Sequence, residues 1–229
     1  MRLQLFFRKL HKWVGLVLVI QLIFWFTSGF LMSYMPIDEV RGNHILKNPE
    51  NKTLPVLSPD YTGITQQLSD PALSATLNML DNLPVIQVTT INQTMLFDAI
   101  TAKQLSPLSA DWVKTHISQR LSSKHQVRSL SLLTETPSEI RGRPAPVWQV
   151  KLEGPENPVV YLSPQTGQVL ATRTDRWRLF DFLWMLHIMD YDERNDFNHP
   201  LLYLTALAAL MFTITGVVLL FYTLRKRPA

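Results

Sequence analysis

The sequence contains no cysteine, and this absence removes several classes of chemistry. Disulfides, thiolate metal sites, Cys-ligated iron–sulfur clusters and a cysteine nucleophile are all excluded. Acidic residues are missing from both ends, because all 18 aspartates and glutamates lie between residues 36 and 199. The net charge of +4 therefore comes from basic ends, and it does not indicate binding to nucleic acid.

The common nucleotide-binding and hydrolytic motifs are missing as well. The chain has no G-x-G-x-x-G, no P-loop, no H-E-x-x-H and no G-x-S-x-G. The predicted strands carry no paired carboxylates in apolar surroundings, as general acid–base catalysis would require. No residue is therefore nominated as catalytic, and neither a self-contained enzyme nor a stand-alone reductase is expected.

Two long apolar segments, 13–34 and 201–224, carry no formal charge. At about 1.5 Å per residue, a helix of either length crosses a hydrocarbon core of roughly 30 Å. Basic residues lie beyond the outer end of each segment, and positive flanks stay in the cytoplasm. The flanking residues are Arg2, Arg8, Lys9, Lys12, Arg225, Lys226 and Arg227.

These features predict a two-pass protein of the bacterial inner membrane with both termini cytoplasmic. Residues 36–199, here called the outer block, are then periplasmic, which suits the absence of cysteine. The first apolar segment is longer than the core of a cleaved signal peptide, and no A-x-A-like site follows it. We therefore expect an uncleaved signal anchor.

The outer block shows strand patterns and an internal similarity. Residues 96–105 align with residues 161–170 at an offset of 65 (161 minus 96), and residues 86–88 align with 148–150 if a short insertion is allowed. This similarity predicts a tandem repeat in which a helix precedes about three strands. The predicted helices are 61–80, in two pieces broken near Pro71, and 110–121. The predicted strands are 85–91, 94–100, a short one near 105, 127–133, 147–153, 159–162 and 168–171.

The predicted fold class is therefore an α+β periplasmic block of tandem repeats between two transmembrane α-helices. Each repeat is expected to combine a helix with a three-stranded antiparallel sheet. The predicted boundaries are 1–12 for a basic tail, 13–35 for the first transmembrane helix, 36–59 for a linker, 60–107 and 108–173 for the repeats, 174–199 for an apolar interfacial helix with an acidic loop, 200–224 for the second transmembrane helix and 225–229 for a second basic tail.

Three stretches of this sequence resemble a known family. Trp148-Gln149-Val150, followed by the segment 160–170, resembles the PepSY signature, a W-x-V strand and then a Y-x-D-P-x-T-G-x-V hairpin. Ser163 stands where the family usually has aspartate. The segment 8–16 is similar to the opening of PepSY-associated transmembrane proteins.

The resemblance implies an inner-membrane protein with a periplasmic PepSY-like domain. Some family members resemble siderophore-iron reductases or are fused to flavin reductase domains, whereas soluble PepSY modules of protease propeptides act as inhibitors or chaperones. Two alternatives follow: an accessory subunit of an electron-transfer assembly that reduces iron or flavin, or a membrane-tethered module that inhibits or chaperones an enzyme. The expected partners are membrane helices, further copies of this chain, a periplasmic protein or a membrane reductase, and the lipid bilayer.

Three of the six histidines are candidate ligands for haem b, namely His11, His187 and His199. His11 belongs to the cytoplasmic end of the first span, and the other two belong to the outer face. Roughly 30 Å of membrane separates His11 from His199, so one haem cannot bind both within a chain. Ordinary interfacial roles remain open for all three. The other histidines, His44, His116 and His125, are expected to be structural.

Two further groups of residues have alternative interpretations. The acidic loop after His187 is either a solvated connector paired with Arg194 or, with His187 and His199, a metal site. Small and hydroxyl residues recur along the second span and predict a helix-packing face rather than a cofactor site. The loop acids are Asp190, Asp192, Glu193 and Asp196, and the packing residues are Thr205, Ala209, Thr213 and Gly216.

Overall fold

The computed structural model describes residues 2–47, 53–196 and 198–225. Lys226 and Arg227 of the predicted second basic tail, and part of the predicted linker, lie outside the described residues. The chain divides into two compact units. Met1–Pro36 and Arg178–Ala229 form the helical unit, and Ile37–Trp177 form the sheet unit.

The chain contains six α-helices and seven strands among the described residues. The helices are α1 (Arg2–Tyr34), α2 (Ile37–Val40), α3 (Tyr61–Thr65), α4 (Ala110–Arg120), α5 (Asp175–Ile188) and α6 (Pro200–Arg225), with a 3₁₀ turn at Ser138–Ile140. The strands are β1 (Ser74–Leu80), β2 (Leu83–Thr89), β3 (Thr94–Asp98), β4 (Gln126–Leu133), β5 (Val147–Glu153), β6 (Val159–Leu162) and β7 (Val169–Arg173).

The helical unit contains the two apolar helices predicted from the sequence. Both α1 and α6 are long and apolar enough to cross a membrane, with mean hydropathies of 2.1 and 2.3 over an 18-residue window of each. The α1 helix begins at Arg2, so it includes most of the segment predicted as a basic tail. Contacts of His11 with Thr215 and of Gly15 with Phe212 show that α1 and α6 pack antiparallel.

The first sheet of the sheet unit is an antiparallel meander in the order β1-β2-β3. Ile86 and Phe97, which are directly paired across β2 and β3, are completely buried. Ile64 of α3 packs against them in one apolar cluster. Alternating apolar residues on β2 thus place one face of the sheet on the helix, as the period of a half-buried strand requires.

The second sheet is also antiparallel, in the order β4-β5-β6-β7. Val113 and Ile117 of α4 are fully buried against Val150 and Val160 of this sheet. Ser109 caps α4, because its side-chain oxygen accepts a hydrogen bond from the backbone N–H of Trp112. The prediction of three strands per repeat is therefore wrong for the second sheet, which has four.

The prediction of helix over residues 61–80 is wrong for most of that range. Only Tyr61–Thr65 is helical, and Ser74–Leu80 forms the edge strand β1. Leu73, Leu77 and Leu80 are spaced as on a helix face, a local pattern that favours a helix. The two-residue turn between Leu80 and Leu83 allows the segment to pair along seven residues with β2 instead, so tertiary pairing overrides the local pattern.

The turns after β3 and β6 repeat the same hydrogen bonds 65 residues apart. The Asp98 carboxylate accepts bonds from the N–H groups of Ile100 and Thr101, at 2.8 and 2.9 Å. At the aligned position, the Ser163 hydroxyl accepts bonds from the N–H groups of Gln165 and Thr166, at 3.2 and 3.3 Å. Serine therefore supplies the acceptor at the position where the PepSY signature has aspartate.

The strand registers recur with the same alignment. Gln87 pairs with Leu96 in the first sheet, and Gln149 pairs with Tyr161 in the second. The bridge between Phe97 and Gln104 likewise corresponds to the pair of Leu162 with Val169. Where the second sheet has β7, the first sheet thus has only the single bridge between Phe97 and Gln104 among the described residues. This bridge lies near the short strand predicted at residue 105.

We predict that Gly167→Ala destabilises the sheet unit more than Gly142→Ala does. Both glycines have φ near +75°, but a Cβ at Gly142 would meet no atom within 4 Å, whereas one at Gly167 would lie 2.7 Å from the Trp112 ring. Gly142→Ala should cost about 1–2 kcal/mol, the ordinary penalty for a Cβ in the left-handed region.

The overlap with Trp112 should make Gly167→Ala at least about 1 kcal/mol worse than Gly142→Ala. Chemical denaturation of the purified full chain, followed by near-ultraviolet circular dichroism, measures both variants. Equal losses in the two variants would contradict the tight packing of this turn.

Candidate histidine sites in the helical unit

His11 of α1 is held by α6. Its Nδ1 atom lies 2.9 Å from the Thr215 hydroxyl oxygen and 3.1 Å from the Phe212 carbonyl oxygen. The imidazole stacks on the Phe212 ring at 4.1 Å between centroids, with 11° between the ring planes. Gly216 faces the imidazole closely, since a Cβ there would lie 3.2 Å from Cε1 of His11.

His187 of α5 is held by α1 in a similar way. Its Nδ1 atom lies 3.0 Å from the hydroxyl oxygen of Ser28, which is almost completely buried. The indole N–H of Trp25 donates to the His187 carbonyl at 2.7 Å, and the Gln21 amide donates to the Leu186 carbonyl at 3.3 Å. These side chains satisfy carbonyls at the C-terminus of α5 that have no partner within the helix.

The hydrogen bonds define the tautomer of His11. The Phe212 carbonyl oxygen can only accept, so the His11 Nδ1 atom, 3.1 Å away, is the donor. The Thr215 hydroxyl also donates to that carbonyl at 2.7 Å, which leaves its oxygen to accept from the same Nδ1–H. The neutral form of His11 consequently carries its lone pair on Nε2, and no described residue hydrogen-bonds to the Nε2 atom of His11 or of His187. The Ser28 hydroxyl lies within hydrogen-bonding distance of both the His187 Nδ1 atom, at 3.0 Å, and the Trp25 carbonyl oxygen, at 3.3 Å.

The two receiving segments share one sequence pattern. In each, an aromatic residue is followed three positions later by a hydroxyl residue and then directly by glycine: Trp25-x-x-Ser28-Gly29 in α1 and Phe212-x-x-Thr215-Gly216 in α6. Gly29 faces His187 as Gly216 faces His11, with Cβ-to-Cε1 distances of 3.3 and 3.2 Å. We call each combination of aromatic, hydroxyl and glycine residues a histidine socket.

The structure does not bring the three candidate ligands together. His11 and Ser28, which marks the position of His187, are both on α1, and their separation of 17 positions spans roughly 26 Å. His199 precedes α6, where its Nδ1 accepts the backbone N–H of Leu201 at 3.3 Å. The neutral form of His199 therefore has the tautomer opposite to that of His11, and its ring caps a helix.

The predicted packing residues of α6 have unequal positions. Gly216 faces His11, and Thr205 and Ala209 are half-buried. Thr213 is exposed, and its hydroxyl bonds to the Ala209 carbonyl of its own helix. Thr215, the buried hydroxyl that binds His11, lies outside the predicted set of four packing residues. The recurrence of the socket pattern is the signal that would have identified it.

Residues 8–229 match the family model described as the PepSY-associated TM region. The chain belongs to this family. No curated protein and no solved structure matches it significantly. Together with the two membrane-length helices, the match shows a membrane protein with a PepSY-type domain.

The acidic loop of this PepSY-associated protein folds around one aspartate. The Asp190 carboxylate accepts backbone N–H bonds from Asp196, Asn195 and Asp192, at 3.1, 2.9 and 3.2 Å. These bonds, led by that from Asp196, hold the pKa of Asp190 below its usual value, although burial opposes the shift. Within residues 2–47, 53–196 and 198–225, no three His, Asp or Glu side chains form a group that could hold a metal ion.

A buried histidine of this PepSY-associated chain, His116, lies in the sheet unit. His116 of α4 donates from Nδ1 to the Asp81 carboxylate at 2.7 Å and accepts a bond from Arg120 at Nε2, at 3.2 Å. Its ring stacks on Trp112 at 4.5 Å between centroids. Burial lowers the pKa of His116, and the opposing effect of the Asp81 carboxylate only partly offsets it. His116 is therefore neutral at pH 7.

We predict that Thr215→Val weakens the packing of α1 on α6, whereas Thr213→Val does not. The first substitution removes the nearer of the two acceptors of the His11 Nδ1–H, and the second removes only a bond within α6 at an exposed position. The loss should be about 0.5–2 kcal/mol, as for other hydrogen bonds between membrane helices. Resistance to unfolding in mixed micelles measures it. Equal stability of the two variants would contradict the socket description of His11.

We predict that acid weakens the sheet unit through His116. Its pKa in the folded state lies below the unfolded value of 6.5, so the unfolded chain takes up the proton first as the pH falls. The stability contributed by this site is present above pH 6.5 and is lost progressively below it. Thermal unfolding of the full chain between pH 7.5 and 5 measures this loss.

His116→Gln should flatten that pH dependence, whereas His44→Gln, a variant of a more exposed histidine beside Glu156, should retain it. An unchanged slope in His116→Gln would contradict the assignment.

Proposed function

We propose that this protein is an accessory subunit of an electron-transfer assembly of the bacterial inner membrane, one that reduces iron or flavin. The two socket histidines are the observation that carries this proposal. Each imidazole has a hydroxyl at Nδ1, and no described residue hydrogen-bonds to its Nε2 atom. This is the arrangement of metal-bound histidines, whose second nitrogen donates to a neighbouring group that fixes the ring.

The donor set of the helical unit fits haem b better than a bare metal ion. Imidazole is a common axial ligand of haem iron, and haem needs only one or two protein ligands. Three-ligand groups are missing among the described residues, and the chain has no thiolate. His11 and His187 would hold the group, and a bound haem would supply a centre that gains and loses one electron.

A partner chain is part of the proposal. His11 and His187 are about 26 Å apart along α1, so they cannot bind the same iron. The hydrogen bonds and ring contacts of His11 and His187 involve no other histidine among the described residues. A second axial ligand at each site would therefore come from another copy of this chain or from the helices of a membrane reductase.

We further propose that the outer block is periplasmic and consists of two PepSY-like repeats. The basic residues at both ends support cytoplasmic termini. The recurrence of strand register and turn hydrogen bonds at the 65-residue offset supports duplication. In this assembly, the outer block would contact the periplasmic partner that accepts the electrons.

The proposal predicts a haem spectrum that depends on the socket histidines. The full chain, expressed with excess haem and purified from membranes with its associated proteins, should show a Soret band that shifts on reduction. His11→Ala and His187→Ala should each lower the haem content, whereas the matched variant His44→Ala in the sheet unit should not. Absence of a Soret band in every preparation would refute the haem-binding role.

A tethered binding module is the second candidate, and the compactness of the sheet unit favours it. Residues Ile37–Trp177 have their own apolar cores, as an independent inhibitor or chaperone domain needs. In that case the full chain should retain a periplasmic enzyme after purification and change its activity, with no haem present. The spectrum and the retained partner therefore distinguish the two candidates.

A further inference from the structure

Three of the four sheet edges in the sheet unit are blocked. The backbone N–H groups of Leu105 and Ser106 donate to the Leu96 carbonyl, which covers the outer side of β3. The 3₁₀ turn packs beside β7, where Arg173 donates to the Glu139 carbonyl at 2.7 Å. Natural proteins protect sheet edges in such ways because free edges pair with other chains.

The β4 edge is protected by irregularity and charge. A β-bulge interrupts its pairing between Val127 and Ser129, and the exposed Arg128 lies within the bulge. Bulges and charged side chains both discourage pairing with a further strand.

The β1 edge has none of these protections. The strand Ser74–Leu80 contains no charged residue and no proline, and it pairs with β2 in an unbroken register. Its first three residues, Ser74, Ala75 and Thr76, are exposed. A flat, neutral and unprotected edge of this length is a template for another strand.

The hairpin geometry shows which backbone groups of β1 face outward. The turn of Asp81 and Asn82 is closed by the pair of Leu80 with Leu83. In a two-residue hairpin this closing pair is hydrogen-bonded, and hydrogen-bonded pairs alternate along the strands. The N–H and C=O groups of Ala75, Leu77 and Met79 therefore point away from β2.

The position of proline in β2 fits this assignment. Met79 lies opposite Pro84, which has no N–H to donate across the pair. None of the described residues hydrogen-bonds to the outward groups of Ala75, Leu77 and Met79.

We propose that β1 pairs antiparallel with β1 of a second copy of this chain, about a two-fold axis at Leu77. Leu77 then faces Leu77, and Ala75 faces Met79, so all three outward-facing residues form hydrogen-bonded pairs. About six main-chain hydrogen bonds form, and the two three-stranded sheets become one six-stranded sheet. Thr76 faces Asn78, so each remaining pair joins uncharged residues.

Self-complementarity favours a second copy over an unrelated strand. In a two-fold interface residue i contacts residue j and residue j contacts residue i, so any charge on the strand would be present on both sides of the seam. The β1 segment has no charge to oppose. Two copies also share a membrane, which raises their effective concentration. This pairing concerns the sheet unit alone and does not depend on whether the histidines bind haem.

Cysteine cross-linking of the full chain in native membranes tests the register. Because the chain has no cysteine, each introduced thiol is unique. Thr76→Cys and Asn78→Cys on co-expressed copies would have Cα atoms about 4.5 Å apart, within the range of a disulfide. Two copies of Thr76→Cys would be diagonal, at about 7–8 Å, and should cross-link poorly.

The matched control uses the protected β4 edge. Ser129→Cys and Ser131→Cys are likewise exposed and two residues apart on an edge strand. We expect the pair at positions 76 and 78 to form a dimer at least about tenfold faster than the control pair, since only the first pair would be held in register.

Two substitutions should abolish the pairing without unfolding the chain. Ala75→Pro removes an outward-facing N–H and leaves the bonds to β2 intact, and Thr76→Lys adds a charge to the edge. Ala75→Pro should lower the cross-linking of Thr76→Cys with Asn78→Cys, and Thr76→Lys should lower that of Ala75→Cys with Met79→Cys, while the unfolding midpoint stays unchanged.

Equal cross-linking at the β1 and β4 positions, or monomers in native membranes by subunit-counting photobleaching, would overturn the proposal. A cross-linked product of Thr76→Cys whose mass fits a different protein would also overturn it, because another partner would then cover the edge. Loss of the haem spectrum would leave the cross-links unaffected, so failure of one proposal is distinguishable from failure of the other.

Discussion

In a hydrocarbon environment, a polar side chain is stabilised when another protein group forms a hydrogen bond with it, and this requirement organises the helical unit. Helix α1 fulfils the requirement at two positions. It presents the His11 ring to the hydroxyl of Thr215 on α6, and it offers the hydroxyl of Ser28 to the His187 ring on α5. One helix thus supplies the imidazole at one end and the hydroxyl at the other. The contacts of α5 and α6 with α1 follow from these two pairings, together with the indole bond of Trp25 to the α5 carbonyl.

The sheet unit shows how one geometry tolerates different residues. The turns after β3 and β6 need an oxygen acceptor, and aspartate supplies it at position 98 and serine at position 163. Burial raises the pKa of Asp98, but the bonds from Thr101 and Ile100 outweigh this effect and lower it overall. The left-handed position of the two turns is filled by Ala102 in one case and Gly167 in the other. The turn therefore depends on the hydrogen bonds more than on the identity of these residues.

Features that depend on local sequence could be predicted, and features that depend on distant pairing could not. Hydropathy identified both membrane helices, and alternation gave the bounds of β5 and β6 as the structure has them. The β1 strand was missed because leucines at helical spacing gave a stronger local signal than its pairing with β2. His11 and His187 were recognised as candidates, but their partners were not. Those partners lie 204 and 159 residues away along the chain, beyond the reach of any periodicity.

The glycines of the helical unit have a consequence for the bilayer. Gly15 lies against the ring of Phe212, and Gly216 lies against the ring of His11, so each helix offers a gap where the other has an aromatic ring. Sliding α1 along α6 by one turn would press both rings against positions that carry side chains. The apolar length of the pair is therefore fixed. In membranes of different thickness this pair has to respond by tilting as a whole or by deforming the surrounding lipid, not by adjusting its own length.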